Sequence, residues 1–444
     1  MSGGQFPPVA GATGTVALSS AGPTPMSFRV RRSTFYMLPG AIAGFLWLLP
    51  VFVPPGAATD SGGFSVARVA RVLSIALLLP LVAGRLPALF IRQRPVTWAL
   101  LAFVLLPAVS AINHPSFGFL VGVVGPYMIG GVSLLCLAAL RPRAFERWTE
   151  GVGIVAAGFV AVGLLQHGLE MTSYYGRPRA HLGFVHPIQT ASAVLFAAYS
   201  LARLSAALPD SVRRLRRIAT VAIWGGTVAL LVLVSSRNAL LLFCTILMAA
   251  AYSRLARGTF ARLALVIVIL ALFPAIMAFA HEVSPQEPLW ILLNFVSSYR
   301  LTFYSAMVEN FVRSDWATML FGPTSVVRNR AAGAQGFAVA DSVYLSILLN
   351  YGAVTLLAFY AFWLALARRL SRRNGAIAYG MLCGVSVYFL LDAQGATPSN
   401  ILVFTLVAQA VRSSLRVAGP SEVPALADAA SPEDGPGEPS RAPS

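Results

Sequence analysis

A fixed positive charge stands between two apolar runs in the segment LVLVSSRNALLLF, residues 231–243. Arg237 cannot lose its proton in a protein, and its planar fork of N–H donors matches the oxygens of a phosphate group. Ser236 and Asn238 flank this arginine and add hydrogen-bonding groups, as do the backbone amides of a tight turn. The pattern predicts an anion-binding turn with Arg237 as its cation.

Residues of the same chemistry lie elsewhere in the chain. The further candidate cations are Arg177 and Arg179 in segment 169–186, and Arg300, Arg328 and Arg330 in segment 282–339. A reaction that removes a proton from a hydroxyl group also needs a general base within hydrogen-bond reach. The candidate bases are His181 and Asp341, ranked first, followed by His186, Glu282, Glu287 and Asp392.

The composition places these residues in a membrane protein. Of the 444 residues, 57% are hydrophobic and 11% are charged, whereas a soluble domain has about 25% charged residues. The hydrophobic residues form blocks of roughly 17 to 25, the length that crosses a bilayer. We therefore predict an all-α polytopic integral membrane protein. We expect no cleaved signal peptide, because residues 1–33 are polar and rich in Gly and Pro.

The hydropathy pattern predicts about twelve transmembrane helices within a domain over residues 34–412. Their approximate limits are 34–55, 66–84, 96–113, 117–140, 149–168, 187–204, 218–234, 238–253, 263–281, 340–366, 376–392 and 400–412. One large loop, residues 282–339, is inserted between the ninth and tenth of these spans. The other connections on the same side are mostly short.

Positive charge occurs in every second connection between the predicted spans. The net charge is +17, and the chain contains no Lys. Because short basic loops remain in the cytoplasm, the N-terminal arm 1–33 and the C-terminal tail 413–444 are predicted to be cytoplasmic, and the loop 282–339 periplasmic. This distribution accounts for the charge without nucleic acid as a partner. The composition of the tail is typical of disorder.

The large loop is predicted to be partly helical. From Arg300, positions 300, 304, 307, 308 and 311 read Arg, Tyr, Met, Val and Phe, the spacing of one apolar helix face. Glu309 falls on the opposite face. Arg300 is thus aligned with the face expected to pack on the membrane domain, where a charge needs a partner. Alternatively, Arg300 stands at the helix start and extends its charge to the membrane surface.

Four short motifs in order resemble the superfamily of O-antigen ligases and Wzy-type polysaccharide polymerases. They are YYGRPRAHLGFVHPIQTASAVLF, SSRNAL, SSYRLTFYSAMVENFVRSDWATMLFGPT and ADSVYLSILLNYGAVTLLAFYAF, which fall within residues 150–370. One position departs from the superfamily. Asp341 and Ser342 stand where many members, the ligases in particular, have a His that opens the motif. This departure favours the exopolysaccharide polymerase branch, which relies on arginine.

The resemblance implies a metal-independent glycosyltransferase of the bacterial inner membrane that needs no cofactor. Its substrates would be polyprenyl-diphosphate-linked oligosaccharide repeats, joined en bloc into exopolysaccharide or O-antigen at the periplasmic face. Arg237, Arg300 and Arg179 would stabilise the diphosphate leaving group, with Asp341 or His181 as the base. The implied substrate-binding residues are Arg177, Ser236, Asn238, Tyr304, Tyr344, Arg328 and Arg330. Membrane lipid, a chain-length regulator and a flippase of the same export pathway are the implied partners.

Two other functions stay open at this point. A ligase would have the same fold and would transfer finished polymer to lipid A–core or another acceptor. A transporter of lipid-linked oligosaccharide usually has repeat symmetry, with broken helices or ionisable groups inside the membrane. The sequence has no two similar halves and few charges in the centres of the predicted spans.

Aromatic side chains on the predicted outer side, including Tyr344, Trp290 and Trp316, could stack on sugar rings. They are also compatible with ordinary anchoring at the membrane interface.

Overall fold

The structure, a computed structural model, is almost entirely helical over the residues that it describes. These are residues 37–52, 73, 76–87, 94–169, 171–174, 177–180, 182, 184, 187–206, 210–234, 237–256, 258–296, 300–324, 342–372, 375–391 and 401–415. The helices up to the hairpin are α1 (Met37–Phe52), α2 (Leu79–Val82), α3 (Arg94–Leu105), α4 (Pro107–Asn113), α5 (Phe117–Phe119), α6 (Gly125–Ala139) and α7 (Pro142–His167). A π-helical turn, Leu120–Val124, joins α5 to α6.

A short β-hairpin follows α7 and is the exception to the helical fold within the described residues. Its strands, β1 (Met171–Tyr174) and β2 (Arg177–Ala180), pair antiparallel with Thr172 opposite Arg179. The helices that follow are α8 (Pro187–Ala206), α9 (Arg213–Leu233), α10 (Arg237–Leu255), α11 (Thr259–Glu282), α12 (Pro288–Val296), α13 (Arg300–Val312), α14 (Trp316–Phe321), α15 (Val343–Ser371), α16 (Ala376–Leu391) and α17 (Ile401–Leu415).

Each predicted span overlaps one or more described helices. Most of the second span, 66–84, lies outside the described residues. Within the described part, six helices are long and apolar enough to cross a membrane: Val96–Asn113, Pro142–His167, Arg213–Leu233, Asn238–Leu255, Thr259–Glu282 and Val343–Ser371. Shorter apolar helices occupy Met37–Leu49, Tyr127–Ala139 and Ala376–Leu391. The chain is therefore a helical protein with membrane-spanning character.

Helices α10 and α16 lie close together because two glycines of α16 face α10. A Cβ atom at Gly380 would lie 2.4 Å from the carbonyl oxygen of Ile246, and one at Gly384 would lie 2.5 Å from the Cγ1 atom of the same residue. Small residues four positions apart allow helix backbones to approach in this way. The crossing brings the first residues of α10 beside the last residues of α16.

The charged residues that join helix ends define one end of the helices, here called the basic end. The Arg262 guanidinium donates to the carbonyl oxygens of Ala256 and Ser371, each over 3.0 Å, and so joins α11 to the ends of α10 and α15. Arg203 near the end of α8 pairs with Glu150 of α7 at 3.2 Å. The opposite end, where α10 begins and α16 ends, is here called the site end.

Helix α15 is bent sharply at Gly352, which the sequence did not predict. Gly352 has φ 78° and ψ 177°, outside the helical region. The rings of Tyr344 and Phe359 lie 5.6 Å apart, although a straight helix would separate these residues by about 22 Å. The short arm 343–351 therefore folds back on the long arm 353–371. The prediction of one continuous span over 340–366 is corrected: the long arm alone is about 28 Å long, close to the thickness of a bilayer core.

The last residues of α14 and the backbone that follows them fill the bend of α15. A Cβ atom at Gly352 would lie 2.3 Å from the backbone of Leu320. The Thr324 amide donates to the carbonyl oxygen of Leu349 over 3.0 Å, and the Asn113 side chain donates to the carbonyl oxygen of Gly322 over 2.5 Å. The segment 320–324 is thus held between α4 and the bend, with no room for a larger residue at position 352.

Candidate functional site

Three side chains from three separate segments meet at the C-terminal end of α16. The last carbonyl groups of an α-helix have no partner within the helix, and here residues 389–391 receive donors from elsewhere in the chain. The bonds are Ser342 Oγ to the carbonyl oxygen of Phe389 at 3.0 Å, Tyr304 Oη to that of Leu390 at 3.1 Å, and Asn238 Nδ2 to that of Leu391 at 3.2 Å. We call this arrangement the α16 cap.

The α16 cap brings together three of the four motifs found in the sequence. Asn238 directly follows Arg237, which is the first residue of α10. Tyr304 lies one turn after Arg300, the first residue of α13. Ser342 is the N-terminal capping residue of α15, and Asp341 precedes it in the sequence but lies outside the described residues. The anion-binding turn, the loop helix and the start of the bent helix therefore share one location.

Asn238 and Tyr304 each hold the start of a helix against the end of α16. Both were expected to bind substrate, yet the hydrogen bonds described above tie their polar atoms to the end of α16. Tyr304 is 5% exposed, so its ring is packed between helices. The geometry assigns both residues to positioning: each fixes the helix turn that carries a neighbouring arginine.

The amphipathic helix predicted from Arg300 is confirmed. Helix α13 packs against α11, and Tyr304, Met307 and Val308 of the predicted apolar stripe are buried. Glu309 on the opposite face is exposed and pairs with Arg313 at 2.5 Å. Tyr304 on the buried face donates to the α16 cap.

Asn294 of α12 fixes the beginning of α13 and had no signal in the sequence. Its Oδ1 atom accepts from the Thr302 amide over 3.2 Å, and its Nδ2 atom donates to Thr302 Oγ1 over 3.0 Å. The amides of a first helical turn lack partners within the helix, so Asn294 acts as a cap supplied by another helix. Since Arg300 is in the same turn, Asn294 is a second positioning residue for it.

Tyr344, which was predicted to bind substrate, lies in the core of the protein. It is completely buried, and its hydroxyl donates to the carbonyl oxygen of Ser386 over 3.0 Å. Its ring contacts those of Phe273 and Phe389 as well as the long arm of α15. No ring face is left open to a ligand. Trp290, considered as a sugar platform or membrane anchor, is also buried.

Of the other predicted site residues, Arg177 and Arg179 lie in the β-hairpin and several lie outside the described part of the chain. Arg177 and Arg179 lie two residues apart on strand β2, and the bonds of the α16 cap involve α10, α13 and α15, not this hairpin. Ser236, His181, Arg328 and Arg330 lie outside the described residues, as does Asp341. The fourth motif continues into α8, which packs against α10, but it supplies none of the three donors of the α16 cap.

The helix ends at the α16 cap favour negative charge. Three helices, α10, α13 and α15, begin within about one turn of it, and each helix start carries a partial positive charge equivalent to roughly half an elementary charge. The opposing partial negative charge at the end of α16 is offset by the three donors. Arg237 and Arg300 add two full positive charges in the same helix starts. The arrangement suits an anionic group such as a phosphate.

Comparison with known proteins adds no family. No protein-family model matches the chain, and a search of curated proteins finds no match. The resemblance to the polymerase and ligase superfamily therefore depends on the short motifs. Among the described residues, no three His, Cys, Asp or Glu side chains are grouped so as to hold a metal ion.

Proposed function

We propose that this chain is an integral membrane glycosyltransferase that polymerises polyprenyl-diphosphate-linked oligosaccharide repeats. The observation that carries the proposal is the α16 cap, in which the Arg237 turn, the Arg300 helix and the segment after Asp341 meet. These segments are separated by long stretches of sequence. Their convergence supports one anion site, and a lipid diphosphate is an anion at the membrane surface.

The proposed membrane arrangement is the one derived from the charge pattern: about twelve spans in the inner membrane, with both termini cytoplasmic. The basic end, where Arg262 joins α10, α11 and α15, would face the cytoplasm. The site end, with the loop 282–339, would face the periplasm. The hydrogen bonds support this arrangement because those of Arg262 lie where α10 ends, whereas that of Asn238 in the α16 cap lies where α10 begins.

In the proposed reaction, the non-reducing hydroxyl group of one lipid-linked repeat attacks the anomeric carbon of the growing chain. The bond from that carbon to the diphosphate oxygen breaks, and polyprenyl diphosphate leaves with the electron pair. Negative charge grows on the leaving group, so fixed cations lower the barrier. Arg237 and Arg300 would supply this charge, with Arg179 as a third. Asp341 or His181 would accept the proton of the attacking hydroxyl.

The positioning residues explain why the cations would act without rearrangement. Asn238 and Tyr304 fix the turns that carry Arg237 and Arg300, and Asn294 fixes the start of α13 from the other side. Preorganised charge is effective because no energy is needed to orient it during the reaction. The proposal therefore assigns direct roles to the arginines and indirect roles to their neighbours.

The transporter alternative receives no additional support from the bent helix. Broken helices occur at transporter binding sites, where the broken backbone lines a cavity. Here the backbone around Leu320 approaches Gly352 so closely that a Cβ atom would lie 2.3 Å away. The bend is filled by the chain itself. A ligase would use the same cations and differ in its acceptor, so only its products distinguish it.

Reconstitution tests the proposal. Purified protein in proteoliposomes would receive lipid-diphosphate-linked repeats, extracted from a strain that lacks this gene, and no other enzyme. We expect a ladder of lipid-linked oligomers, slowed about 10²–10³-fold by Arg237→Ala or Arg300→Ala. Arg313→Ala is the matched control, because Arg313 is exposed and pairs only with exposed Glu309 among the interactions described.

The outcomes separate the three functions. A ladder that is unaffected by both arginine substitutions would refute the role of the α16 cap. Product that appears only when lipid A–core or another acceptor is added would identify a ligase. Movement of the intact substrate across the bilayer without new bonds would identify a transporter. Labelling of a cysteine at position 286 from the cytoplasmic side alone would overturn the proposed orientation.

A further inference from the structure

Helix α12 exposes an apolar face in the loop that follows the long helix α11. The helix has 9 residues, PLWILLNFV, with no charged side chain. Leu289, Ile291, Leu292 and Leu293 are between 39% and 58% exposed. Trp290 and Asn294 are buried on the other face. Single exposed apolar residues are ordinary on protein surfaces, but four within five positions form a continuous apolar surface that needs a contact.

The position of α12 in the chain limits what that contact can be. Helix α11 has 24 residues and is apolar enough to cross a membrane, and it would extend about 36 Å, enough to span a bilayer. Residues 283–287 join it to α12 and reach at most about 17 Å. Helix α12 itself is too short to span a membrane, at about 14 Å. It must therefore lie near the membrane surface.

The buried face of α12 sets its orientation. Asn294 is bonded to Thr302 in the first turn of α13, and α13 packs against α11. Leu289 and Leu292 lie on the opposite side of α12 from Asn294 by the helical period. Val268 and Leu272 of α11 are also exposed apolar residues, as expected for a membrane-spanning helix that faces lipid. An apolar surface that begins no more than about 17 Å from the end of such a helix fits lipid rather than water.

We propose that α12 is an interfacial helix whose leucine face lies in the acyl-chain region of the outer leaflet. Helices of this kind lie in the plane of the membrane, with their apolar side at the boundary between headgroups and acyl chains. Through Asn294, the lipid surface then fixes the height of the first turn of α13. This proposal concerns the lipid contact of the loop and does not depend on the polymerase function.

The test measures the surroundings of a nitroxide label on α12 in the full-length protein. Cys136, Cys244 and Cys383 would first be replaced by Ala, and single cysteines introduced by Leu292→Cys or, as a second site on the same face, Leu289→Cys. Val268→Cys on α11 is the reference for lipid. Gln286→Cys, an exposed residue before α12, is the reference for water. The protein is reconstituted in vesicles of phosphatidylethanolamine and phosphatidylglycerol.

The readout is the ratio of collision rates with oxygen, which concentrates in lipid, and with a water-soluble nickel chelate. We expect the labels at positions 289 and 292 to give ratios several-fold above that at position 286 and closer to that at position 268. Ratios equal to that at position 286 would overturn the proposal, because α12 would then lie in water. Protection from both collision partners would also overturn it, in favour of a second protein copy covering α12.

Discussion

Tyr304→Phe would remove one hydroxyl group from the α16 cap and leave the packed ring almost unchanged in volume. The hydroxyl donates to the Leu390 carbonyl oxygen over 3.1 Å within a buried contact. Loss of a buried hydrogen-bond donor costs about 1–3 kcal/mol when its acceptor loses a partner. We expect the free energy of unfolding to fall by about 1–2 kcal/mol.

The effect on the reaction should be larger than the effect on stability suggests. Tyr304 fixes α13 one turn from Arg300, and a displacement of about 1 Å near reacting groups costs up to about 10²-fold in rate. We expect a decrease of about 10-fold to 100-fold in the rate of oligomer formation per folded protein. The assay is the ladder reaction in proteoliposomes, combined with thermal unfolding of the same preparation.

Tyr360→Phe is the matched control. The Tyr360 hydroxyl also donates to a helix carbonyl, that of Leu270 at 3.3 Å, but this bond joins α15 to the middle of α11 and involves no donor or acceptor of the α16 cap. This variant should lose a similar amount of stability and keep its rate. The positioning argument is wrong if both variants lose rate equally, or if Tyr304→Phe polymerises at the rate of the unchanged protein.

Three further predictions concern the packing that supports the α16 cap. Gly352→Ala should lower the unfolding temperature, because the residue has a positive φ and its Cβ atom would meet backbone 2.3 Å away; Gly158→Ala, with open space around it, should be neutral or stabilise by up to about 1 kcal/mol. Gly380→Leu should separate α10 from α16 and abolish oligomer formation, whereas retained activity would show that their close contact is dispensable. Asn294→Ala should reduce the rate more than Asn294→Asp, since Asp still accepts from the Thr302 amide; equal rates in the two variants would contradict the capping role.

The elements of the fold that were predicted correctly depend on local sequence. The apolar stripe of α13 follows from the spacing of Tyr304, Met307 and Val308, and all three are buried as expected. The helices coincide with apolar blocks because a helix satisfies its own backbone hydrogen bonds wherever it lies. The arginine-rich connections could be predicted to lie on one side of the membrane because both the arginines and the order of the apolar spans can be read from the sequence.

The bend of α15 was missed because nothing in its local sequence requires it. Gly352 lies in an apolar stretch that is compatible with a straight helix, and glycines are common in membrane helices. The bend is stabilised by backbone that arrives from Leu320 and Gly322, in a distant part of the sequence. The burial of Tyr344 was missed for the same reason, because only the fold-back brings its ring against that of Phe359.

The sequence by itself determined a helical chain with membrane-spanning segments, a basic set of connections and a list of arginines suited to an anion. These features follow from hydropathy, helical period and charge, which act over a few residues. Only the tertiary structure decided that α10, α13 and α15 meet at the end of α16. The hydrogen bonds that join them connect residues as far apart as Asn238 and Leu391, and such contacts exist only after distant helices have packed and left carbonyl groups that need donors.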